Sequence, residues 1–124
     1  MNIPTPSQVV QNLLNQKNIW LASIRVDGRP HLVPIWFTWL QDKIYVCIEP
    51  SSVKAVNISL NSYVSLALED GSNPVICEGV AREITLPWPV EITAGFKSKY
   101  DWDITTETRY TQLLEVTPNK WLHW

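Results

Sequence analysis

The run Ala22-Ser23-Ile24-Arg25-Val26-Asp27-Gly28-Arg29-Pro30-His31-Leu32-Val33-Pro34-Ile35-Trp36-Phe37 decides the fold. From Ile19 to Val26 the chain alternates with period two. Trp20, Ala22, Ile24 and Val26 fall on one face, expected to meet the core, and Leu21, Ser23 and Arg25 on the other. Asp27-Gly28 is a tight-hairpin signal, because glycine accepts the positive φ such a turn demands. His31 to Leu40 then resumes as a strand apolar on both faces. Pro34 has no N–H for a ladder, so it marks a bulge or a position facing away from a partner strand.

Outward from this run the punctuation is regular. Gln41-Asp42 is a second turn and Lys43 to Glu49 a third strand. Pro50-Ser51-Ser52 opens a helix over about Ser52 to Leu60, with Val53, Val56 and Leu60 expected inward and Asn61 ending it. Tyr63 to Glu69 reads as a fourth strand with Val64, Leu66 and Leu68 on its core face, and Val75 to Ile84 as a fifth, in which Gly79 marks a bend or a close approach. Pro87-Trp88-Pro89 stops that strand, Val90 to Tyr100 is helical, and Thr111 to Val116 is the last strand. Upstream, Ser7 reads as the N-cap of a short helix to about Asn15. Six short strands with few, peripheral helices predict a mainly β fold, a closed or nearly closed antiparallel barrel, since closure removes exposed edges.

The bulk properties narrow the function classes. A chain of 124 residues is expected to form a single domain over 1–124. A formal net charge of −2 without a basic run argues against a nucleic-acid partner. The N-terminus lacks a secretory pattern, and no apolar run approaches the roughly 18 to 20 residues that span a bilayer, so a soluble cytoplasmic protein without a membrane partner is expected. Cys47 and Cys77 lie far apart in apolar runs and are expected to be buried, reduced thiols. Seven tryptophans serve either a core, or a subunit interface or wall for a planar ligand.

No hydrolase, P-loop, dinucleotide or metal motif is present, so no catalytic residue and no metal site are assigned. His31 reads as a surface or packing residue, and Glu78 with Arg82 as a solvated strand face. Chemistry therefore has to come from a bound cofactor. The best anion site is the helix start, where free backbone N–H groups and the positive dipole end join Ser51, Ser52 and Lys54. Arg25, at the end of the first strand, is placed to reach the same anion.

The opening run resembles the "DGxPH" turn and "PVWF"-like strand of the pyridoxamine 5′-phosphate oxidase-like, FMN-binding split-barrel superfamily. Ser52-Val53-Lys54-Ala55-Val56-Asn57-Ile58, Asn61 to Leu66, Glu78 to Ala81 and Glu115 to Trp121 are similar to its later motifs, in the same order. The resemblance covers roughly residues 10 to 124. It implies a six-stranded antiparallel split β-barrel, with the FMN phosphate near Ser52 and Lys54 beside Ser51. It places the flavin ring along Val33, Pro34, Ile35 and Trp36, Val46 beside the phosphate, and Trp121 of the closing motif among the cofactor contacts. It further implies a homodimer with the cofactor at the seam, for which Trp36, Trp39, Trp121 and Trp124 form the expected apolar patch. Val53 stands where the pyridoxamine phosphate oxidases proper carry an arginine, and their C-terminal arginine–histidine clamp is matched only by His123, so vitamin B6 oxidation is not expected. The expected function is a flavin-dependent oxidoreductase for a small molecule, with substrate contacts from about Trp88 to Thr108. The alternatives are a non-catalytic flavin carrier or sensor, the deazaflavin F420 in place of FMN, and a haem-binding relative.

Overall fold

The computed structural model describes residues 6–123; Trp124 and residues 1–5 lie outside the described residues. Helix α1 (Ser7–Asn15) precedes strands β1 (Ile19–Ile24) and β2 (Pro30–Ile35). Strands β3 (Thr38–Leu40) and β4 (Lys43–Ile48) follow, then α2 (Val53–Leu60), β5 (Tyr63–Leu68) and β6 (Val75–Ile84). Helix α3 (Val90–Tyr100), a 3₁₀ turn (Ile104–Thr106) and the long β7 (Gln112–His123) complete the chain. All strand pairs are antiparallel, in one sheet ordered β2-β1-β5-β6-β7-β4-β3.

That order forces the curvature. β2 and β3 are the two edges of the sheet, yet only Trp36 and Phe37 separate them in the chain. Three Cα steps span at most about 11 Å, so the edges are brought close and the sheet curls into a half-barrel. The expected second strand is thus divided between the two edges, and the strand count becomes seven. The hairpin between β1 and β2 is closed by Arg25 N–H to Arg29 O (2.9 Å) and Gly28 N–H to Arg25 O (2.8 Å). Pro34 causes no bulge, since the β1–β2 register is unbroken from Ile19↔Ile35 to Ile24↔Pro30. With Pro30 it belongs to an edge strand paired only with β1, where prolines of one parity cost no ladder bond.

Three expectations about side-chain direction are corrected. The core face of β1 is Ile19, Leu21 and Ser23, while Trp20 and Ala22 are half-buried and Ile24 is exposed. The reason is α2, whose Asn57 Nδ2 donates to the buried Ser23 Oγ at 3.0 Å and satisfies the polar group on that face. On α2 itself the inward residues are Ala55, Asn57 and Ile58. Val53, Val56 and Leu60 face outward at 49%, 48% and 68% exposure, an apolar stripe left uncovered among the described residues. Third, Trp39 and Trp121 meet edge-on at 5.8 Å and pack on the core, so Trp36 is the exposed member of the expected tryptophan patch among the described residues.

Smaller differences have equally local causes. Ser7 lies inside α1 rather than capping it, and the cap position is Pro6. β7 continues through Pro118 because the ladder is irregular there: Glu78 pairs Lys120 and Gly79 pairs Pro118, which leaves Asn119 unmatched. Gly79 is the expected close approach, as a Cβ there would stand 2.5 Å from Thr117 O. The main core lies between α1, α2 and the concave face of the sheet, and a second cluster around Phe96 fixes α3 on β4 and β7. Lys99 on α3 donates to Leu13 O (3.1 Å) with its Nζ 3.6 Å from the centroid of Phe37, so α1 and α3 are tied at the β2–β3 crossing. Burial, followed by neighbouring Lys17, pushes the Lys99 ammonium down to about 8. Among the described residues no helix is long and apolar enough to cross a membrane.

Candidate functional site

A cavity of about 490 Å³ opens beside the β2–β3 crossing. Pro34, Ile35 and Trp36 form one side, Cys47 and Glu49 come from β4 and its exit, and Lys54 comes from the first turn of α2. Trp102, Glu107 and Tyr110, from the segment after α3, close the far side. The Trp36 ring stacks on Tyr100 with centroids 4.4 Å apart and planes 6° from parallel. Trp102 stands edge-on to Trp36 at 5.8 Å and to Tyr110 at 6.1 Å. The Tyr100 hydroxyl accepts from Phe37 N–H (3.0 Å) and lies within donating distance of Lys17 O (2.7 Å) and Phe37 O (2.9 Å). Burial pushes this phenol up to about 12, against the opposing Phe37 N–H bond, so it acts as a fixed strut and not as an acid. The result is a rigid aromatic wall along the strand expected to meet a planar ring.

The cationic end is built around the start of α2. Ser52 Oγ accepts from Ala55 N–H (3.3 Å) and donates to Glu49 O (2.7 Å), so its hydroxyl is committed to the cap. Lys54 makes no hydrogen bond or salt bridge among the described residues. Burial lowers its ammonium below the ordinary value, and the Glu49 carboxylate opposes that shift. Arg25 Nη1 donates to Pro30 O (2.9 Å), and with Ser51 it lines a neighbouring cleft of about 430 Å³ on the other flank of α2.

The sequence reading missed His31. It sits opposite Ser23 in the β1–β2 ladder, with a buried Nδ1 that has no hydrogen-bond partner. Burial, then the charges of Arg25 and Lys54, hold its imidazole below the ordinary histidine range. The charges of Arg25, just past β1, and of Lys54, in the first turn of α2, therefore both reach His31 on β2. The available signal was its parity with Val33 and Ile35 on β2, which places it on the inner face.

Of the expected cofactor contacts, the fold brings Pro34, Ile35, Trp36 and Lys54 to one cavity. It carries Arg25 and Ser51 to the adjacent cleft. Val33 is half-buried on β2, Val46 is fully enclosed in the core, and Trp121 rests against Trp39; none of the three lines either cavity. Cys47 borders the larger cavity, but burial first and then Glu107 push its thiol up to about 12, leaving it a poor nucleophile. Cys77 is likewise buried and free, as expected. No group of three or more metal-binding side chains occurs among the described residues.

A polar cluster on the outer face of the sheet was also illegible in the sequence. Glu115 is 5% exposed, accepting from Arg82 Nε at 2.8 Å and from Tyr45 OH at 2.9 Å, with Lys43 Nζ at 3.5 Å. Arg82, read as part of a solvated face, is therefore an ion-pair partner across β6 and β7.

The family model for pyridoxamine 5′-phosphate oxidase matches residues 5–124, and the chain belongs to that family. No curated protein matches the chain. Solved structures share the split-barrel fold. A conserved hypothetical protein from Mycobacterium tuberculosis superposes with a TM-score of 0.82 at 23% identity, over 98% of this chain and 85% of that one. The heme storage protein HutZ from Vibrio cholerae gives 0.81 at 17% identity, over 98% and 95%. An F420 reductase gives 0.72 at 21% identity, over 97% and 98%.

Proposed function

We propose that this chain binds FMN and works as a flavin-dependent oxidoreductase on a small molecule, as a homodimer. The observation that carries the reading is the two-ended cavity: a planar aromatic wall along Pro34, Ile35 and Trp36, with the unpaired Lys54 at the start of α2. A flavin ring takes stacking area and backbone contacts from such a strand, while a phosphate takes the helix N–H groups and Lys54, with Arg25 adding positive charge nearby. When bound, the flavin supplies the hydride or electron transfer; the protein orients it and excludes water.

The dimer is favoured by the uncovered apolar surface. Val26, Val53 and Val56 line the 430 Å³ cleft, and Ile24, Leu32, Leu60 and Tyr63 are further large apolar side chains left at 42%, 60%, 68% and 64% exposure. Exposed apolar area of this extent marks an association surface. Neither His31 nor His123 lines the cavity, so a haem there would lack an imidazole ligand.

Fluorescence-quenching titrations with FMN and riboflavin test the reading. A charge-assisted phosphate contact is worth about 1.5–3 kcal/mol, so Lys54→Met weakens FMN roughly tenfold to a hundredfold and leaves riboflavin unchanged. The gap between the two ligands narrows as salt rises. Equal affinities at low salt would overturn the phosphate assignment, and a Soret or deazaflavin spectrum in purified protein would overturn FMN.

A further inference from the structure

The far end of the cavity carries a carboxylate to which the flavin reading gives no role. Trp102 Nε1 donates to Glu107 Oε1 at 2.8 Å, holding the carboxylate against the wall made by Trp102, Trp36 and Tyr110. The backbone beneath is fixed as well. Glu107 N–H donates to Ile104 O (3.3 Å), closing the 3₁₀ turn that Asp103 caps through Thr105 N–H (3.0 Å).

The charges in the cavity differ in what holds them. Glu49 is ion-paired with Arg109 at 2.7 Å, whereas Glu107 has no cationic partner among the described residues. Lys54 is the cavity's cation, and a bound phosphate cancels its charge. What remains is one carboxylate beside π-rich rings. The indole N–H of Trp102, the positive edge of that ring, is already spent on Glu107. A ring of this wall also takes a cation in the structure itself, as the Arg109 guanidinium lies 5.4 Å from the Tyr110 centroid.

We propose that Glu107, with the Trp36, Trp102 and Tyr110 rings, is the recognition point for an organic cation, a protonated amine or an N-alkylated nitrogen heterocycle, as the substrate class of this cavity. The proposal rests on the flavin reading for what the cavity does, while its recognition chemistry is argued from the cavity's own side chains. A cation there gains a charge-assisted contact from the carboxylate and cation–π attraction from the rings; a neutral analogue keeps only the stacking.

The test uses three probes on one ring skeleton: 1-methylnicotinamide as cation, nicotinamide as neutral, nicotinate as anion. Each is titrated by calorimetry into the FMN-loaded full chain. The cation is expected to bind about tenfold more tightly than nicotinamide, with nicotinate weakest. Glu107→Gln keeps an acceptor for Trp102 and removes only the charge, so the preference falls to within about twofold. Equal binding of cation and neutral probe by the parent, a preference for nicotinate, or an undiminished preference in Glu107→Gln would each overturn the proposal. Failure of the chain to take up FMN would overturn the flavin reading instead. The same titrations on the unloaded chain then decide the Glu107 subsite separately, by the same criteria.

Discussion

Replacing Glu115 by glutamine is a stringent test of how the outer face of the sheet is held. The carboxylate is nearly inaccessible and accepts two hydrogen bonds under 3 Å, from Arg82 Nε and Tyr45 OH. Glutamine preserves the shape but takes the negative charge from the acceptor of both bonds, a loss of about 1 kcal/mol each. It also turns an N–H₂ toward one of two donors, and the better orientation sets it against the Tyr45 oxygen, leaving the phenol hydrogen without an acceptor. Relief of carboxylate desolvation offsets part of this. Arg82 and Lys43 are 67% and 36% exposed and regain water at little cost. The net expectation is a loss of about 2 kcal/mol at pH 7, or roughly 8 °C in Tm for a chain of this size. Glu115 has a further signature in pH. Burial raises its carboxyl, but the Arg82 and Tyr45 bonds and the Lys43 and Arg82 charges outweigh it, so the folded-state value lies below the ordinary 4.5. A depressed carboxylate contributes stability above the unfolded-state value and loses it as pH falls through the folded one. The gap between parent and Glu115→Gln therefore closes as pH drops below about 4.5. Denaturant melts at fixed protein concentration across pH 3 to 7 measure both. A variant as stable as the parent at pH 7, or a gap that does not change with pH, would refute the argument.

Two further changes probe the ladder and the seam. Gly79→Ala places a methyl 2.5 Å from the Thr117 carbonyl oxygen and 3.1 Å from Val116 Cγ1, in a ladder that cannot yield without breaking pairs. It should cost about 1–3 kcal/mol in calorimetric or denaturant melts, and an unshifted melt would mean that the bulge relaxes freely. Val56→Asp puts a charge in the middle of the outward stripe of α2, so sedimentation at micromolar concentration should show a monomer where the parent is a dimer; a persistent dimer places the seam elsewhere.

The sequence by itself determined the order and nature of nearly every element, because those signals are local. Asp27-Gly28 and Gln41-Asp42 set turns, alternation set strands, Ser52 capped α2, and Val90 to Tyr100 proved helical over the same residues as expected. Half of the cavity was legible for the same reason: Pro34 and Ile35 end one strand with Trp36 next in the chain, and Lys54 lies in the first turn of one helix. Tertiary structure alone decided which way the faces point. Val53, Val56 and Leu60 satisfy an inward pattern on α2, yet the helix is rotated to bury Asn57, because only that rotation supplies Ser23 with a partner. Parity on β2 placed His31 on the inner face but not beside its charged neighbours, and Glu107 and Glu115 could not be found from spacing, since each acquires its meaning from residues on other strands and turns. The Arg25 and Lys54 charges reach His31 across β1, β2 and α2, and Arg82 meets Glu115 across the β6–β7 ladder. Local propensity fixes what each segment becomes. The curling of one sheet, forced by two residues between its edges, fixes which segments meet.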